Sequence, residues 1–451
     1  MSEKLIVAKF GGTSMGNAQA MRQSAAIVRD HAAPLVVVSA TSGTTNQLLD
    51  IIAAATSGDW AKAELLQQTI SQRHQDLARE LECHANATAQ IQAHLDELAT
   101  LARGIFLLRE CSVRAKDRIQ SIGELLSSII FTQVLAQAWS NQKIEFLDAR
   151  EVLITDDQFT RATPIPELIK QRMHKRVGDL RDPARSVWVT QGFIGRTEEG
   201  ETTTLGRGGS DYSASLFAEA VGADICEIWT DVSGIASTDP RLCSKARSID
   251  EITFQEAAEM ATFGAKVLHP TTLTPARRHG IAVFVGNTFA PKDKGTWIVD
   301  KSRQKPLVRA LAIKKSQALL TISTPKMLHT HGFLYAIFKI FNDHKVAVDA
   351  ITTSEISVAM TVDETTVDHK LLIRDLSHLG DVHIEKGMAL VSLIGNNINS
   401  TAGLGKQIFS ALENVNVRMI CQGASLHNFC FLVNAQDGDA AVKLLHHRFL
   451  E

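Results

Sequence analysis

The stretch Leu5-Ile6-Val7-Ala8-Lys9-Phe10-Gly11-Gly12-Thr13-Ser14 decides the fold of this chain. An apolar run passes directly into a lysine, a glycine pair and two hydroxyl residues, the pattern of a buried strand ending in an anion-holding turn. Glycines let backbone N–H groups approach an anion closely, and the lysine adds a fixed positive charge. The lysine precedes the glycines, so this is not the phosphate loop G-x-x-x-x-G-K-[ST]. Taken alone, the stretch also suits a surface turn with a solvated lysine.

Outward from it, β-rich runs at Leu35-Val36-Val37-Val38, Val187-Trp188-Val189 and Ile281-Ala282-Val283-Phe284-Val285 alternate with helical stretches over residues 19–31, 46–55 and 119–137. Residues 59–108 read as a helical subdomain, polar on one face. Strands alternating with helices predict an α/β domain built on a mainly parallel sheet sandwiched by helices. Ligands of such sheets sit beyond the carboxyl ends of strands, so the loops after these runs are the places to search.

Three further loops combine glycine, hydroxyl and charged residues. Ser39-Ala40-Thr41-Ser42-Gly43-Thr44-Thr45-Asn46 follows a strand and opens a helix, where Ser and Thr serve as N-caps and the helix terminus also favours an anion. In Ser121-Ile122-Gly123-Glu124-Leu125-Leu126-Ser127, Glu124 interrupts an apolar helix, either to face water or to bind an ammonium group. The most specific is Thr202-Thr203-Thr204-Leu205-Gly206-Arg207-Gly208-Gly209-Ser210-Asp211-Tyr212. The planar fork of an arginine pairs bidentately with a carboxylate, so Arg207 is the candidate for a substrate carboxylate. Asp211 is placed to orient a lysine or to approach a metal ion.

Lys9-Phe10-Gly11-Gly12-Thr13-Ser14, with Gly123-Glu124 and the Arg207-Gly208-Gly209-Ser210-Asp211 loop, resembles the aspartate kinases of the amino-acid kinase superfamily. The resemblance covers essentially the whole chain. It implies the reaction of ATP, with Mg²⁺, and L-aspartate to give 4-phospho-L-aspartate and ADP. It implies catalytic roles for Lys9, Asp211 and Lys266. It implies an aspartate pocket of Ser39, Thr45, Glu124, Arg207, Gly208, Gly209 and Ser210. For ATP it implies Lys9, Gly11, Gly12, Thr230, Asp231, Ala236, Arg241, Lys266 and Val267. Thr230-Asp231 follows the apolar run Ile225-Cys226-Glu227-Ile228-Trp229, and Lys266-Val267 lies in Phe263-Gly264-Ala265-Lys266-Val267-Leu268-His269-Pro270. Ala236 stands where many members of the family carry an aromatic residue, so adenine stacking from that position is lost. The motifs contain no evident general base, and a carboxylate acceptor with a pKa near ~4 needs none at neutral pH.

Past the turn-rich residues 289–295 the chain repeats itself. Gly332-Phe333-Leu334-Tyr335-Ala336-Ile337-Phe338 aligns with Gly403-Leu404-Gly405-Lys406-Gln407-Ile408-Phe409, and Val346, Ser354, Val358 and Val362 align in register with Val417, Ser425, Phe429 and Val433. Each copy reads as a ferredoxin-like βαββαβ unit. The pair resembles the ACT modules that bind amino acids as regulators. The expected organisation is a catalytic domain over 1–290, a linker over 291–305, and two modules over 306–386 and 387–451. By resemblance to lysine-responsive aspartate kinases, L-lysine is the expected effector, with threonine the alternative. It would be held by Met327, Thr330, Phe333, Leu334, Val348, Asp349, Thr353, Ser354 and Glu355. The second copy lacks the matching acids: Arg418 and Met419 stand where Ala347 and Val348 stand, and Cys421 where Ala350 stands. Its expected role is pairing of copies into a homodimer or a tetramer.

Bulk composition narrows the alternatives. The 451 residues give room for two or three domains. With 47 basic and 49 acidic residues the net charge of −2 offers no footprint for nucleic acid. Six scattered cysteines without a C-x-x-C pair predict reduced thiols in a cytoplasmic protein and speak against structural zinc. Neither a secretory signal nor an apolar run of membrane-spanning length is expected, nor a homoserine dehydrogenase module. The rival readings are an acetylglutamate, glutamate or carbamate kinase of the same superfamily, and a non-catalytic amino-acid sensor.

Overall fold

Ile6–Phe10 forms strand β1 at the centre of a buried sheet, with Val7, Ala8 and Phe10 fully removed from solvent. The computed structural model describes residues 4–182, 184–264, 268, 270–328 and 331–451. The chain divides into two compact units, one of residues 1–235, 248–254 and 268–302, the other of residues 236–247, 255–267 and 303–451.

The first unit continues with β2 (Leu35–Val38), β3 (Ile144–Leu147), β4 (Val187–Gln191), β5 (Ile194–Arg196), β6 (Thr202–Thr204), β7 (Ile225–Thr230), β8 (Glu251–Thr253), β9 (Ala282–Asn287) and β10 (Thr296–Val299). Eight of these strands form one sheet in the order β3-β4-β2-β1-β7-β9-β10-β8, while β5 and β6 make a separate hairpin. Among the described residues of the eight-stranded sheet only the β9–β10 pair is antiparallel. Val7 pairs with Leu35 and Phe10 with Trp229, which sets the ends of β1, β2 and β7 side by side. Continuous Leu-Val-Val-Val character in β2 fits a strand covered on both faces, and all four residues are buried.

Helices Ala18–Asp30, Thr44–Ser57 and Val113–Ala138 match the helical pattern of the sequence, and the helical subdomain resolves into Trp60–Glu80 and Ala85–Leu108. Helix Val113–Ala138 is long and apolar enough to cross a membrane by length and composition, but 89% of the relevant window is buried inside the protein. It is the core helix of the unit. Gly123 allows its close packing, because a Cβ there would lie 2.9 Å from the Ala40 Cβ.

The second unit contains β11 (Ala310–Ser323), β12 (Ala350–Thr353), β13 (Ser357–Asp363), β14 (Asp381–Ile394), β15 (Val417–Cys421) and β16 (Asn428–Asn434), in the sheet order β12-β13-β11-β14-β16-β15. Both ferredoxin-like repeats are present, and they share two long strands. The second half of β11 pairs with β13 in the first repeat, and the second half of β14 pairs with β16 in the second. Ser316 (φ +57°) and Gly387 (φ +71°) take left-handed backbone where the two strands pass from one repeat to the other. Each repeat keeps its own core, around Ile337, Phe341 and Met360 in the first and Ile408, Phe431 and Leu445 in the second.

Candidate active site

The ends of β1, β2, β4 and β7 and the first turn of helix Gly209–Val221 open on a cleft of about 830 Å³. Lys9, Gly11, Gly12, Ser39, Thr45, Glu124, Arg207, Gly208, Gly209, Ser210, Asp211, Thr230 and Asp231 all line it. Residues up to 222 positions apart in sequence, from Lys9 to Asp231, therefore meet in one place, as a parallel sheet requires.

Lys9 is the pivot. Its Nζ lies 2.5 Å from Asp211 Oδ1, and both side chains are largely shielded. Asp211 stands in the first turn of its helix, where the helix dipole favours a negative charge. The two glycines differ in use. The Gly11 N–H is bonded to the Trp229 carbonyl at 3.0 Å and is not available to a phosphate, contrary to the expectation of a glycine-amide pair. Among the described residues the Gly12 N–H has no protein acceptor.

Glu124 is buried, with Oε1 accepting from the Ala40 N–H at 3.3 Å and Oε2 without a partner. Burial pushes its carboxyl up to about 8, partly opposed by the Ala40 N–H and the charge of Lys9. A buried carboxyl with an unsatisfied oxygen, on a residue that lines a cleft, is suited to receive a cation. Arg207 and Lys116 face the same cleft, and among the described residues neither is paired with a carboxylate. Gly206 (φ +75°) and Gly208 (φ +72°) give the Arg207 loop the left-handed turns that bend it toward the helix N-terminus.

The loop after β2 departs from the expected Ser/Thr cap. Gly43, at φ +79°, is the N-cap of helix Thr44–Ser57, and no side chain caps it. The hydroxyls are used sideways instead. Thr41 Oγ1 lies 2.6 Å from Thr44 Oγ1 and 3.1 Å from His74 Nε2. Arg73 Nη1 donates to the Ser42 carbonyl at 3.0 Å and to Thr44 Oγ1 at 3.2 Å. The helical subdomain thus pins the loop that carries Ser39 and Thr45. Burial lowers His74 to about 4, so it is neutral at physiological pH.

Several residues of the cleft escaped the sequence reading, among them Lys116, Gln120, Thr160 and Phe193. Lys116, Gln120 and Glu124 stand at i, i+4 and i+8 on one face of helix Val113–Ala138, a polar stripe that was available as a signal. Asp117 positions rather than lines. Its carboxylate accepts from Thr160 N–H (2.8 Å), Thr204 N–H (3.0 Å) and Thr204 Oγ1 (2.9 Å), fixing the strand that leads into Arg207.

Residues 4–287 match the Amino acid kinase family, and residues 391–449 match an ACT domain. Over its full length the chain is 43% identical to lysine-sensitive aspartokinase 3 of Escherichia coli (strain K12), covering 100% of both chains. The chain belongs to the aspartokinase family. It is also 36% identical to the chloroplastic aspartokinase 1 of Arabidopsis thaliana, over 99% of this chain and 80% of that one. Its fold is similar to the crystal structure of E. coli aspartokinase III in complex with aspartate and ADP (R-state), with a TM-score of 0.89 and 42% identity. The same enzyme with lysine and aspartate (T-state) gives 0.79 at 42% identity; 99% of this chain and 100% of the other are covered in both comparisons.

Other residues expected from the aspartokinase resemblance fall elsewhere. Ala236 and Arg241 belong to the second unit, where Arg241 pairs with Asp239 at 2.6 Å on an exposed turn. Lys266 and Val267 lie outside the described residues, as does Thr330. Met327 ends a short 3₁₀ turn, Phe333 and Leu334 open helix Phe333–Asp343, Val348 and Asp349 precede β12, Thr353 ends it, and Ser354 and Glu355 form the turn into β13. Asp349 is already engaged, with Lys314 Nζ 2.5 Å from its Oδ2.

Proposed function

We propose that this aspartokinase transfers the γ-phosphoryl group of ATP to the β-carboxylate of L-aspartate and is inhibited by L-lysine. The observation that carries the reading is the unsatisfied oxygen of buried Glu124 in the same cleft as Arg207, which among the described residues has no carboxylate partner. The amino acid is assigned to the cleft they share, its α-ammonium to Glu124 and its α-carboxylate to the Arg207 fork, with Ser39, Thr45, Gly208, Gly209 and Ser210 lining the same cleft.

Held at both ends, the substrate presents its β-carboxylate, already ionised at neutral pH. One of its oxygens bonds to the γ-phosphorus as the bond to the β–γ bridging oxygen breaks, and ADP leaves. Two anions must approach, so the rate rests on charge neutralisation and alignment. Lys9 supplies a cation between them, and Asp211 holds the lysine in place. The Gly12 N–H, without an acceptor among the described residues, is assigned to a phosphoryl oxygen. Mg²⁺ bound with the nucleotide supplies further neutralisation of phosphate charge; the carboxylates of Asp211 and Asp231 on the cleft wall suit such a hydrated ion. Thr230 and Asp231 are assigned to the nucleotide.

Lysine is assigned to the first repeat, with its ammonium groups on Asp349 and Glu355; engaging Asp349 requires lysine to compete with Lys314. Pairing of two copies is assigned to the second repeat, where Phe409, Ile420 and Leu426 are exposed. Six free thiols suit the reducing cytoplasm. The reading is tested by ADP release with aspartate, acetylglutamate and glutamate as acceptors, each with and without lysine and threonine. Turnover with aspartate alone, suppressed by lysine, is expected; preference for acetylglutamate or no turnover with any acceptor overturns it.

A further inference from the structure

Three side chains distant in sequence converge in the second unit. Cys243 follows the Asp239–Arg241 turn, His446 belongs to helix Ala435–Leu450, and Glu451 follows that helix. Their sulfur, nitrogen and oxygen ligand atoms all lie within 4.8 Å of one another. Cys243 is buried, and among the described residues its thiol has no hydrogen-bond partner. His446 is fully buried, with Nδ1 3.2 Å from Glu451 Oε1 and Nε2 3.1 Å from Ser237 Oγ.

We propose that Cys243, His446 and Glu451 form a binding site for a divalent transition metal of the zinc class. Thiolate, imidazole and carboxylate together select Zn²⁺ over Mg²⁺ or Ca²⁺, which take oxygen ligands. Three protein donors and one water complete a tetrahedron. The surroundings hold the donors in place. Glu451 Oε2 is bound by Lys245 Nζ at 2.5 Å and His447 Nδ1 at 3.1 Å, which leaves Oε1 turned to the cluster. The Ser237 hydroxyl accepts from the Arg247 N–H at 2.9 Å and can accept from His446 Nε2–H as well. With a metal bound, that bond would hold the Nε2–H tautomer, whose Nδ1 lone pair faces the ion, in place of the Nδ1–H tautomer that Glu451 Oε1 favours.

Binding costs the thiol its proton, which passes to solvent; the histidine only exchanges tautomers. Sequence spacing gave no sign of the site because its donors come from two segments about 200 residues apart (on the order of a whole domain). A bound ion joins residues 236–247 to the last helix within the second unit.

The test uses the full chain stripped by chelator. Zn²⁺ alone is titrated in competition with a chromophoric chelator, and Co²⁺ is added separately as a spectroscopic probe. One Zn²⁺ per chain and a thiolate-to-cobalt charge-transfer band are expected. Because His446 is fully buried, the decisive variant is the near-isosteric Cys243→Ser, which should remove the band and weaken Zn²⁺ by at least about 100-fold; Ser237→Ala should weaken it by about tenfold. Cys430→Ser, a buried thiol of β16, should leave the band intact. Absence of stoichiometric Zn²⁺, or a band that survives Cys243→Ser, overturns the proposal.

Discussion

Lys9 Nζ sits 2.5 Å from Asp211 Oδ1, joining the end of β1 to the first turn of helix Gly209–Val221. The pair holds a positive charge at the point where two anions are proposed to meet. Lys9→Ala should lower kcat by about 10²–10³-fold or more while the circular dichroism spectrum is unchanged. A variant with near-normal kcat would show that another group neutralises the phosphoryl charge.

Glu124 predicts a pH dependence. Its folded pKa is raised by burial from 4.5 to about 8, so ligand-free protein keeps this carboxyl protonated at neutral pH. An acid with a raised folded pKa contributes stability that is fully present below 4.5 and is lost as pH rises through about 8. The substrate ammonium needs the ionised form. Aspartate binding should therefore expel a proton below about pH 8, and its Kd should fall up to about tenfold per pH unit in that range. Calorimetry in buffers of different ionisation enthalpy measures the released proton. Glu124→Gln should abolish the release, and a pH-independent Kd in the parent would contradict the assignment.

Arg73 belongs to the helical subdomain, yet it holds the Ser42 carbonyl and Thr44 Oγ1. Arg73→Ala should raise KM for aspartate several-fold, on the order of 1 kcal/mol of lost positioning, with less effect on KM for ATP. Steady-state kinetics with each substrate varied in turn separates the two.

Asp117 anchors Thr160 and Thr204 by three hydrogen bonds. Asp117→Ala leaves buried N–H groups without a partner and should cost about 1–3 kcal/mol in urea unfolding. Because Thr204 leads into the Arg207 loop, KM for aspartate should rise in the same variant.

Asp349 is the acid assigned to lysine in the first repeat, and it is shared with Lys314. Asp349→Ala should raise the lysine concentration for half-inhibition by about tenfold or more, the loss of one charge-assisted contact. Lys314→Met should lower it by freeing the carboxylate. Inhibition curves unchanged in both variants would move the effector site elsewhere.

Much of this was legible in the sequence, and the exceptions have physical causes. Buried strands such as Leu35–Val38 announce themselves by unbroken apolar character, and the repeat from Gly332 to Gly403 gave the ferredoxin-like units directly. Sharing of β11 and β14 between the repeats was not legible, because pairing of half-strands depends on which edge each half meets. The Lys116–Gln120–Glu124 stripe was visible but masked by the apolar residues around it. Commitment of the Gly11 N–H to Trp229 depends on contact across the sheet and has no local signature.

The central claim is that the acceptor is held by both ends, its ammonium on Glu124 and its α-carboxylate on Arg207. Phosphoryl transfer to L-aspartate, to succinate, which lacks the ammonium, and to β-alanine, which lacks the α-carboxylate, tests it most directly when the acyl phosphate is trapped with hydroxylamine. The account predicts hydroxamate from aspartate, and kcat/KM for either analogue lower by about 10⁴-fold, as for sites left with unpaired buried polar groups. Comparable turnover of succinate or β-alanine would contradict it.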